Sequence, residues 1–200
     1  MTVNIYAAPA ADLDVPALDI DGKFYVVSPR KLAVLHILTL GAYAMYWFYR
    51  NWRAYKESQQ FGTDDSTLWP VPRAVFAVFF THSLFRKIKE AGAGIEQVAQ
   101  WGNNGHASLL VLLMIVSNGL DRASTANLGS PYTDWIAMLL LVPLVFCLLK
   151  AQEIINLTCG DPHGEGNSTF TGWNYFWIVL GSCLWIAILV GTFLPEQLAD

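Results

Sequence analysis

The sequence predicts an all-α, polytopic membrane helix bundle of four transmembrane helices plus one short interfacial or re-entrant helix. Three observations lead there. The chain is 54% hydrophobic and only 14% charged, too little charge to coat a soluble globule and a natural balance for helices facing lipid. Its apolar residues gather into uncharged runs of helix length, several of them near the length of a bilayer crossing. The first such run ends in a dense band of aromatic and basic side chains, the composition of a membrane–water boundary.

That run defines the first expected span, residues 31–50. Leu32 to Tyr49 holds 18 residues without a formal charge, covering roughly 27 Å at about 1.5 Å per residue. Ser28 suits a helix N-cap, and Pro29, lacking an N–H, suits the first helical position. At the far end Tyr46, Trp47 and Trp52 are expected to anchor at the headgroups, with Arg50, Arg53 and Lys56 in phosphate and water. The helix is expected to run on to about Gln60 and stop near Gly62.

A run at about 72–86 is harder to assign, because Arg73 opens it and Arg86, Lys87 and Lys89 close it. Its length is short for a crossing, so an interfacial or partly inserted helix is expected, with a tilted fifth crossing as the alternative. Spans follow at about 106–121, 133–150 and 173–194. Pro143 is expected to kink the third, and Gly160 with Asp161 and Pro162 to end its aqueous extension. Ala187 and Gly191 are four apart, a spacing that lets a second helix approach. Residues 24–195 form one membrane domain between a flexible acidic tail at 1–23 and a short tail at 196–200. The acidic start, with Asp12, Asp14, Asp19 and Asp21, does not fit a cleavable signal peptide.

With four crossings, eight of the 12 Lys and Arg share one side, which the positive-inside rule makes cytoplasmic. Both termini would then lie outside. Arg30 and Lys31 oppose that arrangement, and five crossings would divide the bases seven to five.

At the first span Thr39, Gly41, Tyr43, Tyr46 and Trp47 make a Thr-x-Gly-x-Tyr-x-x-Tyr-Trp pattern, preceded by Ser28 to Lys31. The pattern resembles small proteobacterial inner-membrane proteins that form domains of unknown function. The resemblance implies a multi-pass protein of the bacterial inner membrane and transfers no catalytic residue.

Chemistry-bearing residues are sparse. No GxSxG, HExxH or P-loop pattern occurs, and Cys147, Cys159 and Cys183 have no zinc spacing. No cofactor or metal is expected. His36 and His82 are the candidates for a b-type haem, which requires them at equal depth and therefore five crossings; the alternative is histidines bonded to neighbouring helices. Asp161, His163, Glu165 and Asn167 could bend around a cation or simply form a solvated turn. The net charge of −4 and the absence of a basic groove exclude nucleic acid as a partner. The expected partners are the lipid bilayer and a protein partner or second copy. Arg50, Arg53, Lys56, Arg86, Lys87 and Lys89 would form a basic, aromatic-rich cytoplasmic face of a non-catalytic structural or interaction component. The competing expectation is a small-molecule binder, either a b-type cytochrome or a lipid-handling protein.

Overall fold

The computed structural model describes residues 22–59 and 64–193, and among these it is all helical. The expected start is in place: the Ser28 side chain accepts from Lys31 N at 3.3 Å, and Pro29 opens α1 (Pro29–Leu38). The first expected span is nevertheless two helices. After α1 the chain turns through Thr39–Ala42 into α2 (Tyr43–Glu57). Leu40 and Gly41 have φ of 53° and 86°, left-handed values that no helix sustains. Thr39 holds the turn, its Oγ1 donating to Leu35 O at 2.7 Å and accepting from Tyr43 N at 3.0 Å.

The two arms are antiparallel, and their ends meet. The chain leaves the level of Val27, whose carbonyl accepts from Asn156 Nδ2 at 3.1 Å. At the turn, a Cβ on Gly41 would touch Leu141 at 3.3 Å, a site about 22 Å earlier on the helix that carries Asn156. It then returns, with Trp47 Nε1 donating to Gln152 Oε1 at 2.6 Å and Tyr25 N donating to Asn51 Oδ1 at 3.2 Å. Residues 25–51 therefore form a helical hairpin and not one continuous helix. The helix ends at Glu57, short of Gln60; the expected stop at Gly62 lies outside the described residues, as does most of the acidic tail.

A second hairpin follows. The short helix expected at 72–86 is two helices, α3 (Pro70–Val75) and α4 (Ala77–Ala91), meeting at Phe76 with ψ of 40°. Lys87 Nζ bonds Asp65 Oδ2 at 2.6 Å, so the chain between them leaves and returns to one place. A single straight helix over that length would hold its ends about 33 Å apart. After the single turn α5 (Glu96–Ala99) comes α6 (Asn103–Thr125), antiparallel to α4: Lys89 Nζ reaches Trp101 O at 2.8 Å, and His82 meets Ser108 Oγ at 3.1 Å.

Long helices complete the bundle. α7 (Tyr132–Thr158) runs unbroken through Pro143 and ends as expected at Gly160, φ 74°, with Asp161 N bonded to Asn156 O at 3.0 Å. α8 is Gly172–Phe193. Among the described residues three helices, α6, α7 and α8, are long and apolar enough to cross a membrane, not four. Their outward faces present Leu112, Leu139, Phe146, Val179 and Ile186, the surface a bilayer would cover. α8 lies along α1 at very close range, because a Cβ on Gly181 would fall 1.9 Å from Leu38 O. Trp185 Nε1 donates to Ile37 O at 2.9 Å, satisfying a carbonyl at the end of α1.

One end of the bundle is held by a buried polar network. Gln152 and Asn156, four apart on α7, are fully buried. Gln152 Nε2 donates to Tyr25 O at 3.0 Å and to Asn156 Oδ1 at 2.7 Å, while its Oε1 takes the Trp47 indole. Lys31 is 3% exposed and donates to Asn167 Oδ1 at 2.6 Å and Thr169 O at 2.7 Å. Asn167 Nδ2 in turn reaches Val26 O at 2.9 Å and the Tyr25 hydroxyl at 3.0 Å. Each bond contributes about 0.5–1.5 kcal/mol, but each partner left unpaired there would cost about 1–3 kcal/mol.

Candidate binding cavity

The turns of the two hairpins meet inside the bundle. Between them lies a cavity of about 270 Å³. The first hairpin contributes His36, Gly41 and Met45; the second contributes Ala74, Ala77 and Val78; α6 and α7 close it with Met114, Ser117, Asn118 and Leu141. Most of the lining is apolar, with three polar side chains, His36 from α1 and Ser117 and Asn118 from α6. Irregular backbone inside a protein needs its polar groups satisfied, and in the first turn Thr39 and the bonds of Leu40 N to Ile37 O, Gly41 N to His36 O and Ala42 N to Thr39 O do so.

His36 is the distinctive group. It is 1% exposed, and neither ring nitrogen has a hydrogen-bond partner. A neutral imidazole carries one donor and one acceptor, and here both are buried without a partner. Nearby, Asn118 Nδ2 donates to Met114 O at 2.7 Å, leaving its carbonyl oxygen as an acceptor. A cavity of this size and polarity holds several waters or one compact organic molecule, since liquid water occupies about 30 Å³ per molecule.

The other histidines are engaged elsewhere. His82 bonds Ser108 and is not among the lining residues, so it does not face His36 across the cavity. His106 accepts the Trp101 indole N–H at Nδ1, 3.0 Å, which makes its Nε2 the donor to Cys147 O, also 3.0 Å. Asp161 turns both oxygens onto its own loop, accepting from Glu165 N and Gly166 N at 2.9 Å. Those N–H groups, Gly166 first, hold its carboxyl below the usual range. With Asn167 taken by Lys31, the loop residues do not come together as a cation site, and no cluster of three or more His, Cys, Asp or Glu able to hold a metal occurs among the described residues.

The basic residues share one end of the molecule, but most are engaged within the chain. Arg50 donates to the Tyr46 hydroxyl at 2.8 Å and lies 4.5 Å over the Tyr25 ring. Arg53 pairs with Glu57 at 2.8 Å, Arg86 lies 3.8 Å from Glu90, and Lys87 bonds Asp65 and Tyr55. Lys89 caps Trp101 O, and Lys56 stands in the last turn of α2. Of the expected aromatic anchors, Tyr46 is 42% exposed, whereas Trp47 and Trp52 are enclosed by protein. Those two rings are core, Trp52 lying beneath the Arg73 guanidinium at 4.5 Å; they cannot reach headgroups.

Sequence reasoning missed the Gln152–Asn156 pair, because α7 was read there as an extension into water. Its signal was an i, i+4 amide pair beside strong apolar residues. Ser117 and Asn118 were legible only as polar residues near the end of the second span, since a hydroxyl in a span can be satisfied within its own helix and carries little information.

No protein-family model, curated protein or solved structure matches this chain.

Proposed function

We propose that this chain is a three-pass protein of the bacterial inner membrane that binds a compact molecule in the cavity around His36 and performs no catalysis. The observation that carries the reading is His36 itself, a fully buried imidazole with two unpartnered nitrogens, which borders a cavity between two hairpin turns. Re-entrant segments line solute sites in membrane proteins because their turns present unpaired polar groups at depth. The basic, aromatic face as a docking surface has less support, since Arg50, Arg53, Arg86, Lys87 and Lys89 all have partners within the chain. The haem version lacks a second histidine at the cavity.

Folding back both hairpins also changes the charge balance. Every Lys and Arg except Arg122 then belongs to the end that holds Val27 and Asn156, which is eleven of the 12. The positive-inside rule makes that end cytoplasmic, and Arg30 and Lys31 no longer conflict with it. The residues preceding α1 would therefore begin on the cytoplasmic side.

Two measurements test this. Native mass spectrometry of the protein in membrane-derived nanodiscs should show a small, stoichiometric mass excess that is lost in His36→Leu; a wild-type protein with no excess other than exchangeable phospholipid rejects the binding role. Single-cysteine labelling in sealed vesicles should place Ser58 and Leu128 on opposite sides, and same-side labelling rejects the three-pass arrangement.

A further inference from the structure

Beyond retaining a ligand, the cavity has a route of entry. A second cavity, about 440 Å³, shares Leu40, Ser117 and Leu141 with the one around His36. It extends along α6 and α7 toward the end opposite the basic face, past Asp121, Ser124 and Asp134. On α6, Ser117, Asp121 and Ser124 are spaced four and three apart, which puts them on one side of the helix. A continuous polar edge therefore leads from that end to Ser117, which borders both cavities.

The charges along this edge favour one sign. The Asp121 carboxylate makes no hydrogen bond or ion pair among the described residues, its backbone carbonyl accepting from Thr125 Oγ1, while Asp134 accepts from Ser124 Oγ and from Ser130 Oγ, the latter at 2.9 Å. Arg122 is the only Lys or Arg at this end, and it borders a shallower recess with Asn118 and Asp121. The edge thus carries two carboxylates against one guanidinium. At its inner limit stands His36, which borders the inner cavity with neither ring nitrogen bonded within the protein.

We infer that a water-filled vestibule, entered from the end opposite the basic face and preferring small cations and weak bases, leads to the His36 cavity. This rests on the cavity reading above but does not require that a ligand stay bound. Asp121 and Asp134 raise the local concentration of cations at its mouth.

The test uses full-length protein in nanodiscs with Cys147, Cys159 and Cys183 replaced by alanine. Ser117→Cys is expected to react with a trimethylammonium methanethiosulfonate at a rate about tenfold above that of the sulfonate reagent. Ile115→Cys, at similar depth on the outward face of α6, is expected to resist both. Asp121→Asn should erase the preference between reagents while keeping Ser117→Cys reactive. Should Ser117→Cys fail to insert, Ala137→Cys on the facing wall of α7 carries the same expectation. Failure of Ser117→Cys and Ala137→Cys to react overturns the vestibule, as does labelling confined to a lipid-soluble maleimide. Equal rates for the two charged reagents overturn the cation preference and with it the proposal. A reactive, cation-selective Ser117→Cys without any bound mass would sustain the vestibule and reject only the retained ligand.

Discussion

The two helical hairpins perform the same topological act with different physics. The first is closed by neutral hydrogen bonds between fully buried groups: Tyr25 N to Asn51, Trp47 to Gln152, Gln152 to Tyr25 O. The second is closed by an ion pair, Lys87 to Asp65, at which the lysine side chain is 13% exposed and the aspartate 37%. Buried neutral pairs are insensitive to salt and costly to leave half made. A partly exposed ion pair is screened by salt and modest in worth. The first hairpin is therefore a rigid part of the core, and the second is the part of the molecule that conditions can loosen.

The largest test of that contrast is Gln152→Leu. It preserves volume but strands the Trp47 indole N–H, Tyr25 O and the Asn156 amide, so a loss of at least about 3 kcal/mol is expected, read by unfolding in mixed micelles. A loss under about 1 kcal/mol would mean that the network is not what closes the first hairpin. Next comes its turn. Gly41→Ala forces a left-handed alanine whose Cβ would lie 3.3 Å from Leu141, and about 1–2 kcal/mol should be lost.

Asp65→Asn addresses the second hairpin. It removes the partner of a mostly covered ammonium, between the limits for exposed and buried pairs, so the expected loss is about 1–2 kcal/mol. The same loss should follow from acid. Hydrogen bonds from Lys87 and then Tyr55 hold the Asp65 carboxyl below its ordinary value. A depressed acid contributes stability that is present above its unfolded pKa and disappears as pH falls through the folded one. Proteolysis between residues 57 and 64 should accelerate over that acid range in wild type and show no such acid step in Asp65→Asn; equal acid response in both removes the carboxylate from the explanation. The smallest effect is expected at Glu57→Gln, whose pair with Arg53 is exposed on both sides, and should change the melting free energy by less than about 0.5 kcal/mol.

Much of the helical content was legible in the sequence, because hydropathy and caps are local properties. The runs that became α6, α7 and α8 were each found within a few residues, as were the Ser28 cap and the Gly160 stop. The first hairpin was not legible as a hairpin. Its apolar run has the length of a crossing, and hydropathy measures only whether residues avoid water, not whether the chain reverses. Thr39 and Gly41 were visible as part of a pattern, but their work as a turn depends on φ at Leu40 and Gly41.

The candidate site was legible only as one residue. His36 stood out by being ionisable within an apolar run, yet its lack of a partner depends on which helices surround it. The cavity is built from two hairpins and two long helices, so no local spacing encodes it. Trp47 and Trp52 show the same limit from the other side: their composition suits an interface, and packing by Gln152 and Arg73 buries them. The sequence alone determined that this chain is helical, apolar along its long helices and basic beside its first helices. Tertiary structure decided that the basic segments share one end and that His36 borders a cavity, because both follow from contacts between residues far apart in the chain, such as Trp47 with Gln152 and Ile37 with Trp185.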